Sequence, residues 1–326
     1  MSQSRLTTAI LDGALTLPAG KVTIMRPPAD YDVSQIDRDS IMIAQGYYPD
    51  FAAWSGAGYP VTARAEPAEV AIVVVPKSKT LARGMIDAAA SWAKLVIVDG
   101  QKTEGIDSLF KDCRKRLGAL PTLTKGHGRI FWFDGGDAFA DWITPPPAMG
   151  AHGFVTTAGV FSEAAIDRGS KLLVDALPDK LPARMADIGA GWGYIASQVL
   201  TRDSVKALDL IEAEALSLDC ARLNVTDPRA ECHWADATQF LPKLPYDAIV
   251  MNPPFHTGRA SEPQLGRAFI AQAARMLAGH GKLWMVANRH LPYEGALRDV
   301  FRNVDEVAGD GAFKVFFATR PIRQRG

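Results

Sequence analysis

Strand-length apolar runs recur along the chain, separated by stretches whose apolar residues fall at helical spacing. In the first half, Val70 to Val75, Leu95 to Val98 and Ile130 to Phe133 are rich in β-branched or aromatic residues, and Lys79 to Ala93 and Gly105 to Leu117 between them carry the helical pattern. The alternation recurs more clearly in the second half. Arg184 to Ile188, Val205 to Ile211, Ala248 to Met251 and Lys282 to Val286 read as strands, and Glu214 to Asn224 and Gln264 to Leu277 as helices. Phe313 to Thr319 alternates apolar and polar positions, which predicts a strand returning to the sheet edge. Strands alternating with helices predict an α/β fold, a mostly parallel sheet covered by helices on both faces. The apolar runs are too short to span a bilayer, so no membrane partner is expected.

The segment Thr144-Pro145-Pro146-Pro147-Ala148-Met149-Gly150 breaks the pattern, because consecutive prolines fix φ and remove backbone donors. It predicts one domain over residues 1–143, a Pro-rich linker over 144–153 and a second domain over 154–326. A length of 326 residues suits two such domains, each able to bury its own core. With 48% hydrophobic and 22% charged residues the composition is that of an ordinary globular protein, not a disordered or fibrous one. The formal net charge is +0, from 36 basic and 36 acidic residues, so any nucleic-acid surface must be a local patch. Candidates are Lys111, Arg114, Lys115 and Arg116; Lys125 with Arg129; and Arg320, Arg323 and Arg325. The first group also suits the last turn of a helix stopped by Gly118. Cys113, Cys220 and Cys232 show no CxxC spacing and the N-terminus shows no secretory pattern, so reduced thiols, a cytoplasmic location, no disulfide and no zinc are expected.

Two loops fall at the carboxyl ends of predicted strands, where open α/β sheets bind ligands. In Asp187-Ile188-Gly189-Ala190-Gly191-Trp192-Gly193, the residues Gly189, Gly191 and Gly193 permit tight turns and close approach of backbone to a small charged cofactor. Asp187 can meet a cationic amino group, and the amides at the helix start near Tyr194 can face a carboxylate. The G-x-G-x-G spacing differs from the dinucleotide fingerprint. Glu212 ends the next strand and is placed to accept from two ribose hydroxyls, with Asp209 as the competing choice; Asp236, one strand later, can accept from an adenine amine. The second loop, Asn252-Pro253-Pro254-Phe255, follows Ala248-Ile249-Val250-Met251. An exocyclic base amine is a poor nucleophile because its lone pair is delocalised. The Asn252 side chain and the Pro253 carbonyl can hold its two N–H groups and orient that lone pair, while Pro253 and Pro254 stiffen the loop and Phe255 stacks on the base. A base inside a helix must be flipped out to reach such a turn. Together the loops point to S-adenosylmethionine-dependent methylation of a planar amine. His256 can line the substrate pocket. The histidines show no metal-ligand spacing, so no metal is expected. In the first half, Gly56-Ala57-Gly58, Gly126-His127-Gly128 and Gly135-Gly136 do not join an acidic strand end to a helix, so that half is read as non-catalytic.

Several segments resemble the bacterial ribosomal RNA guanine-N2 methyltransferases of the small-subunit type. They are Gly159-Val160-Phe161-Ser162 followed by Asp167-Arg168-Gly169-Ser170, Asn252-Pro253-Pro254-Phe255-His256-x-Gly258, and Ala287-Asn288-Arg289-His290-Leu291-Pro292-Tyr293. In the first half Lys102 to Ser108 and Lys125 to Arg129 are similar to that family's degenerate domain. The sequence departs at Thr157-Ala158, where the family pattern has a proline before the glycine. The resemblance implies two tandem Rossmann-like class I methyltransferase domains with a degenerate N-terminal copy. It further implies S-adenosyl-L-methionine as cofactor, ribosomal RNA or a ribosomal subunit as partner, and Asn288 near the substrate. Methylation of N6 of adenine, N5-methylation of a glutamine side chain, and a non-catalytic RNA-binding assembly factor stay open as alternatives.

Overall fold

Both halves build a seven-stranded sheet with one and the same strand order. The structure, a computed structural model, describes residues 4–254 and 263–323, and the chain divides into units 1–146 and 147–326.

In the first unit, α1 (Arg5–Leu11) precedes β1 (Val22–Met25), β2 (Ile41–Ala44), α2 (Tyr48–Gly56), β3 (Val61–Thr62), β4 (Val70–Val74), α3 (Lys79–Trp92), β5 (Leu95–Gln101), α4 (Ile106–Leu117), β6 (Thr122–Lys125) and β7 (Gly128–Asp134). The sheet order is β3-β2-β1-β4-β5-β7-β6, with β7 antiparallel to both its neighbours and the other pairings parallel. Strands β1 and β4 are buried on both faces, so their residues are apolar at nearly every position, as central parallel strands require. One face packs against α3 and α4 through Val73, Val98, Ile86 and Leu109; the other meets α1 and α2 through Ile24, Ile72, Leu6 and Trp54.

In the second unit a short hairpin of β8 (Ala148–Met149) and β9 (Val155–Thr156) leads into α5 (Arg168–Asp175), β10 (Arg184–Ile188), α6 (Tyr194–Val199), β11 (Ala207–Glu212), α7 (Ala215–Asn224), β12 (Ala230–Trp234), β13 (Tyr246–Met251), α8 (Pro263–Met276), β14 (Leu277–Asn288), α9 (Tyr293–Val300), β15 (Phe301–Gly309) and β16 (Phe313–Pro321). Residues 148–149, inside the stretch expected to be linker, are therefore paired. The order is β12-β11-β10-β13-β14-β16-β15, parallel up to β14 and antiparallel beyond it. The expectation that Phe313 to Thr319 occupies the sheet edge needs correction. β16 lies inside the sheet, and the edge is β15, whose Arg302, Asn303, Asp305 and Glu306 are exposed and leave no apolar run to read. Alternate residues of the parallel strands face opposite layers. Met185, Leu208, Leu210 and Val250 pack with α5, α6 and α7, and Ile188, Ile249, Met251 and Met285 with α8 and α9.

The matched topology lets the two first strands be compared. β10 runs into the glycine loop; β1 runs into Arg26-Pro27-Pro28, and the Pro27 carbonyl accepts from Gln45 Nε2 at 2.8 Å and Trp54 Nε1 at 3.2 Å. Buried side chains thus seal the place where the second unit is open. Two strands away, buried Asp99 on β5 is held by Arg5 Nε at 2.6 Å and by the Tyr31 hydroxyl at 3.0 Å. No described helix is long and apolar enough to cross a membrane.

Candidate active site

β10 reads Arg-Met-Ala-Asp-Ile and sits between β11 and β13, so Asp187 is fully buried although it is a carboxylate. Among the described residues neither of its oxygens finds a well-formed hydrogen bond. Burial, and then the neighbouring Glu212 carboxylate, push its pKa up to about 8, against a smaller downward pull from the Ala196 N–H. A buried acid without a partner is costly unless it is protonated or meets a cation.

The loop after β10 turns because Gly189 N and Ala190 N both donate to the Ile211 carbonyl, at 2.8 and 3.2 Å, and Gly193 N closes onto Ala190 at 3.0 Å. Gly189, Gly191 and Gly193 have φ of +74°, +56° and +90°, a region that side-chain-bearing residues rarely adopt. A Cβ on Gly193 would lie 2.8 Å from Val225 Cγ2, whereas one on Gly191 would meet nothing within 4 Å. Gly193 is therefore needed for packing, and Gly191 leaves open space. Glu212, at the end of β11, accepts from Gly191 N at 2.8 Å and from Glu214 N at 2.7 Å, and burial raises its pKa. Its competitor Asp209 lies mid-strand and accepts from the Tyr246 hydroxyl at 2.5 Å, with Arg184 Nη2 3.5 Å away.

β13 stops where Pro253 and Pro254 lack the N–H that a ladder needs. Asn252 follows directly. Its Nδ2 donates to Asp167 Oδ2 at 2.9 Å and to Ser170 Oγ at 2.8 Å, while its Oδ1 is buried with no partner among the described residues. Asn252, Asp167 and Ser170 line one cavity together with Gly189, Gly191, Trp192, Tyr194 and Ser162. Pro253 is buried and Pro254 exposed. Phe255 and His256 lie outside the described residues.

Asp236 stands two residues beyond β12, and its carboxylate holds a turn, accepting from Thr238 N at 2.8 Å, Thr238 Oγ1 at 2.7 Å and Gln239 Nε2 at 3.1 Å. Asn288 ends β14, half-buried, and is not among the residues that line the cavity. Sequence reading missed Asp167 and Ser170 as site residues, although both stand in a segment that carried the resemblance. It also missed the clamp made by Asn224 at the end of α7. Asn224 Nδ2 donates to the Trp192 and Val155 carbonyls, both at 2.8 Å, and its Oδ1 accepts from Val155 N at 2.7 Å. Trp192 Nε1 in turn donates to the Phe161 carbonyl at 2.8 Å, so the segment before α5 is tied to the glycine loop. The Ala-Arg-Leu-Asn ending of that helix was the available signal. Among the described residues, Asp209, Glu231 and His233 form a group with metal-ligand potential, but the Arg184 guanidinium and Tyr246 hydroxyl already satisfy Asp209. Of the basic candidates, Arg116 pairs with Asp141, Arg129 with Asp107 at 2.9 Å, and Arg323 Nη2 donates to the Leu277 carbonyl at 2.8 Å.

The arrangement can hold a cationic, carboxylate-bearing cofactor at Asp187 and the glycine loop, with an unpartnered amide oxygen beside it. Comparison with known proteins gives the family. Residues 151–317 match the methyltransferase small domain. The chain is 31% identical to ribosomal RNA small subunit methyltransferase C of Shewanella halifaxensis over 77% of each chain. It is 30% identical to the protein of that name from Shewanella denitrificans, over 85% of this chain and 84% of that one. The solved T. Thermophilus 16S rRNA N2 G1207 methyltransferase, in complex with AdoMet and guanosine, superposes with a TM-score of 0.80 at 21% identity, covering 94% of this chain and 90% of that one.

Proposed function

The chain belongs to the ribosomal RNA small subunit methyltransferase C family, and from that premise we propose that it methylates the exocyclic N2 amine of a guanine in ribosomal RNA of the small subunit. It is an S-adenosylmethionine-dependent methyltransferase. When bound, that cofactor supplies an electrophilic methyl group on a sulfonium. Everything else in the reaction is positioning by this chain's own residues.

The observation that carries the reading is the Asn252 amide oxygen, buried and without a partner among the described residues, on a side chain that lines the same cavity as the glycine loop. It is an acceptor for one amine N–H. The Pro253 carbonyl, on a backbone that two prolines stiffen, serves the second, and the held amine has its lone pair turned toward the methyl group. Such catalysis rests on proximity and preorganised dipoles and needs no general base in contact with the amine. The unsatisfied Asp187 carboxylate supports binding of the cofactor's ammonium, and Glu212 and Asp236 remain the proposed acceptors for its ribose and adenine. Phe255 is proposed as the surface on which the guanine stacks. The first unit, whose corresponding loop is sealed by Gln45 and Trp54, is proposed to hold RNA rather than cofactor.

The test supplies the protein with methyl-labelled S-adenosylmethionine and, in parallel, naked ribosomal RNA, separated subunits and a translation-factor extract. Label recovered as N2-methylguanosine is expected, and the preferred substrate identifies the partner. N6-methyladenosine or methylglutamine would keep the chemistry and overturn the substrate. Asn252→Ala is expected to lower transfer by roughly two orders of magnitude with cofactor affinity intact. RNA binding is expected to weaken steeply with salt.

A further inference from the structure

We infer that Asp167 and Ser170, at the start of α5, are positioning residues that decide which end of the Asn252 amide faces the amine to be methylated. This rests on the reading of Asn252 given above. The two ends of an asparagine amide are nearly equal in size and opposite in hydrogen-bonding sense. An oxygen facing the amine accepts its N–H; a nitrogen facing it sets donor against donor. Shape alone does not separate the two orientations, so something chemical must.

Asp167 does so. Its Oδ2 lies 2.9 Å from Asn252 Nδ2, and an ionised carboxylate only accepts. Turning the amide over would press Asn252 Oδ1 against that carboxylate, acceptor on acceptor. Ser170 Oγ, 2.8 Å from the same nitrogen, takes the second amide proton, so both N–H groups are used and Oδ1 is left free.

The two residues are themselves fixed. Asp167 caps α5, its Oδ2 also accepting from Ser170 N at 2.7 Å, and Ser170 is 7% exposed. The first turn of α5 sits close under the β15–β16 turn. A Cβ on Gly169 would come within 3.0 Å of the Phe313 ring, and Arg168 Nη2 donates to Asp310 Oδ2 at 2.7 Å. The amide thus takes its orientation from an anchored helix terminus more than eighty residues earlier in the chain.

Three variants of the full chain test this. Asp167→Ser keeps a capping hydroxyl but is too short to reach Asn252; Asp167→Asn keeps both the length and an acceptor; Ser170→Ala removes the second acceptor. Single-turnover methyl transfer to ribosomal RNA is measured beside calorimetric affinities for cofactor and RNA. Asp167→Ser is expected to slow transfer roughly tenfold or more with both affinities within about twofold of the parent, Ser170→Ala to slow it severalfold, and Asp167→Asn to recover most of the rate. In an Asn252→Ala background the Asp167→Ser loss should vanish, because no amide remains to be oriented.

Parent-like transfer by Asp167→Ser overturns the inference. So does a loss seen only in cofactor affinity, a full additive loss in the Asn252→Ala background, or Asp167→Asn no better than Asp167→Ser. Parent-like transfer by Asn252→Ala alone would instead overturn the underlying reading of the site.

Discussion

Asp187 is a carboxyl whose pKa burial pushes up to about 8, so the cofactor-free fold holds it mostly protonated at about pH 7. The sign of the consequence follows from linkage. A carboxyl whose folded pKa is raised stabilises the cofactor-free fold fully below its unfolded pKa, and that contribution is lost as pH rises toward 8. The cofactor-free protein is therefore expected to lose thermal stability between about pH 5 and pH 8. Asp187→Asn should flatten that decline while weakening cofactor binding at least about a hundredfold; thermal melts across pH and titration calorimetry measure both. Binding near neutrality should also release a proton from Asp187, which calorimetry in buffers of different ionisation enthalpy detects. A pH-independent melt equal to that of Asp187→Asn would contradict this account of the acid.

At the scale of elements, the glycine loop separates two kinds of glycine. Gly193→Ala must accept both φ of +90° and a clash with Val225, so a fall in melting temperature is expected, from strain of about 1–2 kcal/mol plus repacking. Gly191→Ala faces open space at φ of +56° and should fold with a smaller loss, while its methyl group enters the cavity and weakens the cofactor. Comparing melts with binding constants separates the two effects. The sequence made the central elements legible, Arg184 to Ile188 to the residue and Gly105 to Leu117 to within one, because strands buried on both faces and helices with one buried stripe leave strong periodic traces. It hid β15, where exposed polar positions dominate an antiparallel edge, and the four-residue strands β1 and β2, whose apolar runs are too short to separate from buried turns. It also hid the partners of Asn252. Asp167 and Ser170 announce a helix cap in sequence; that the cap also grips a side chain on β13 is a tertiary fact that no local spacing encodes.

Across the whole molecule, one topology appears twice with different chemistry at the same place. In the first unit Gln45, Trp54 and the Arg5–Asp99–Tyr31 network fill the carboxyl end of the sheet; in the second, Asp187 and Asn252 leave it wanting partners. Saturating cofactor is accordingly expected to slow amide hydrogen exchange in residues 184–254 and to leave β1, β4 and β5 unchanged, as read by peptide-resolved mass spectrometry; protection of β1 and its loop would reveal a second cofactor site. Each sheet, moreover, is drawn from one contiguous stretch, and among the described residues no strand is exchanged between the two. A ribosome making this chain has delivered the whole first sheet, through Asp134, before Arg184 is polymerised, whereas β14 waits for β16 and the second sheet closes only near Pro321. Synthesis interrupted late would thus leave a finished first unit joined to an enzyme that never assembled.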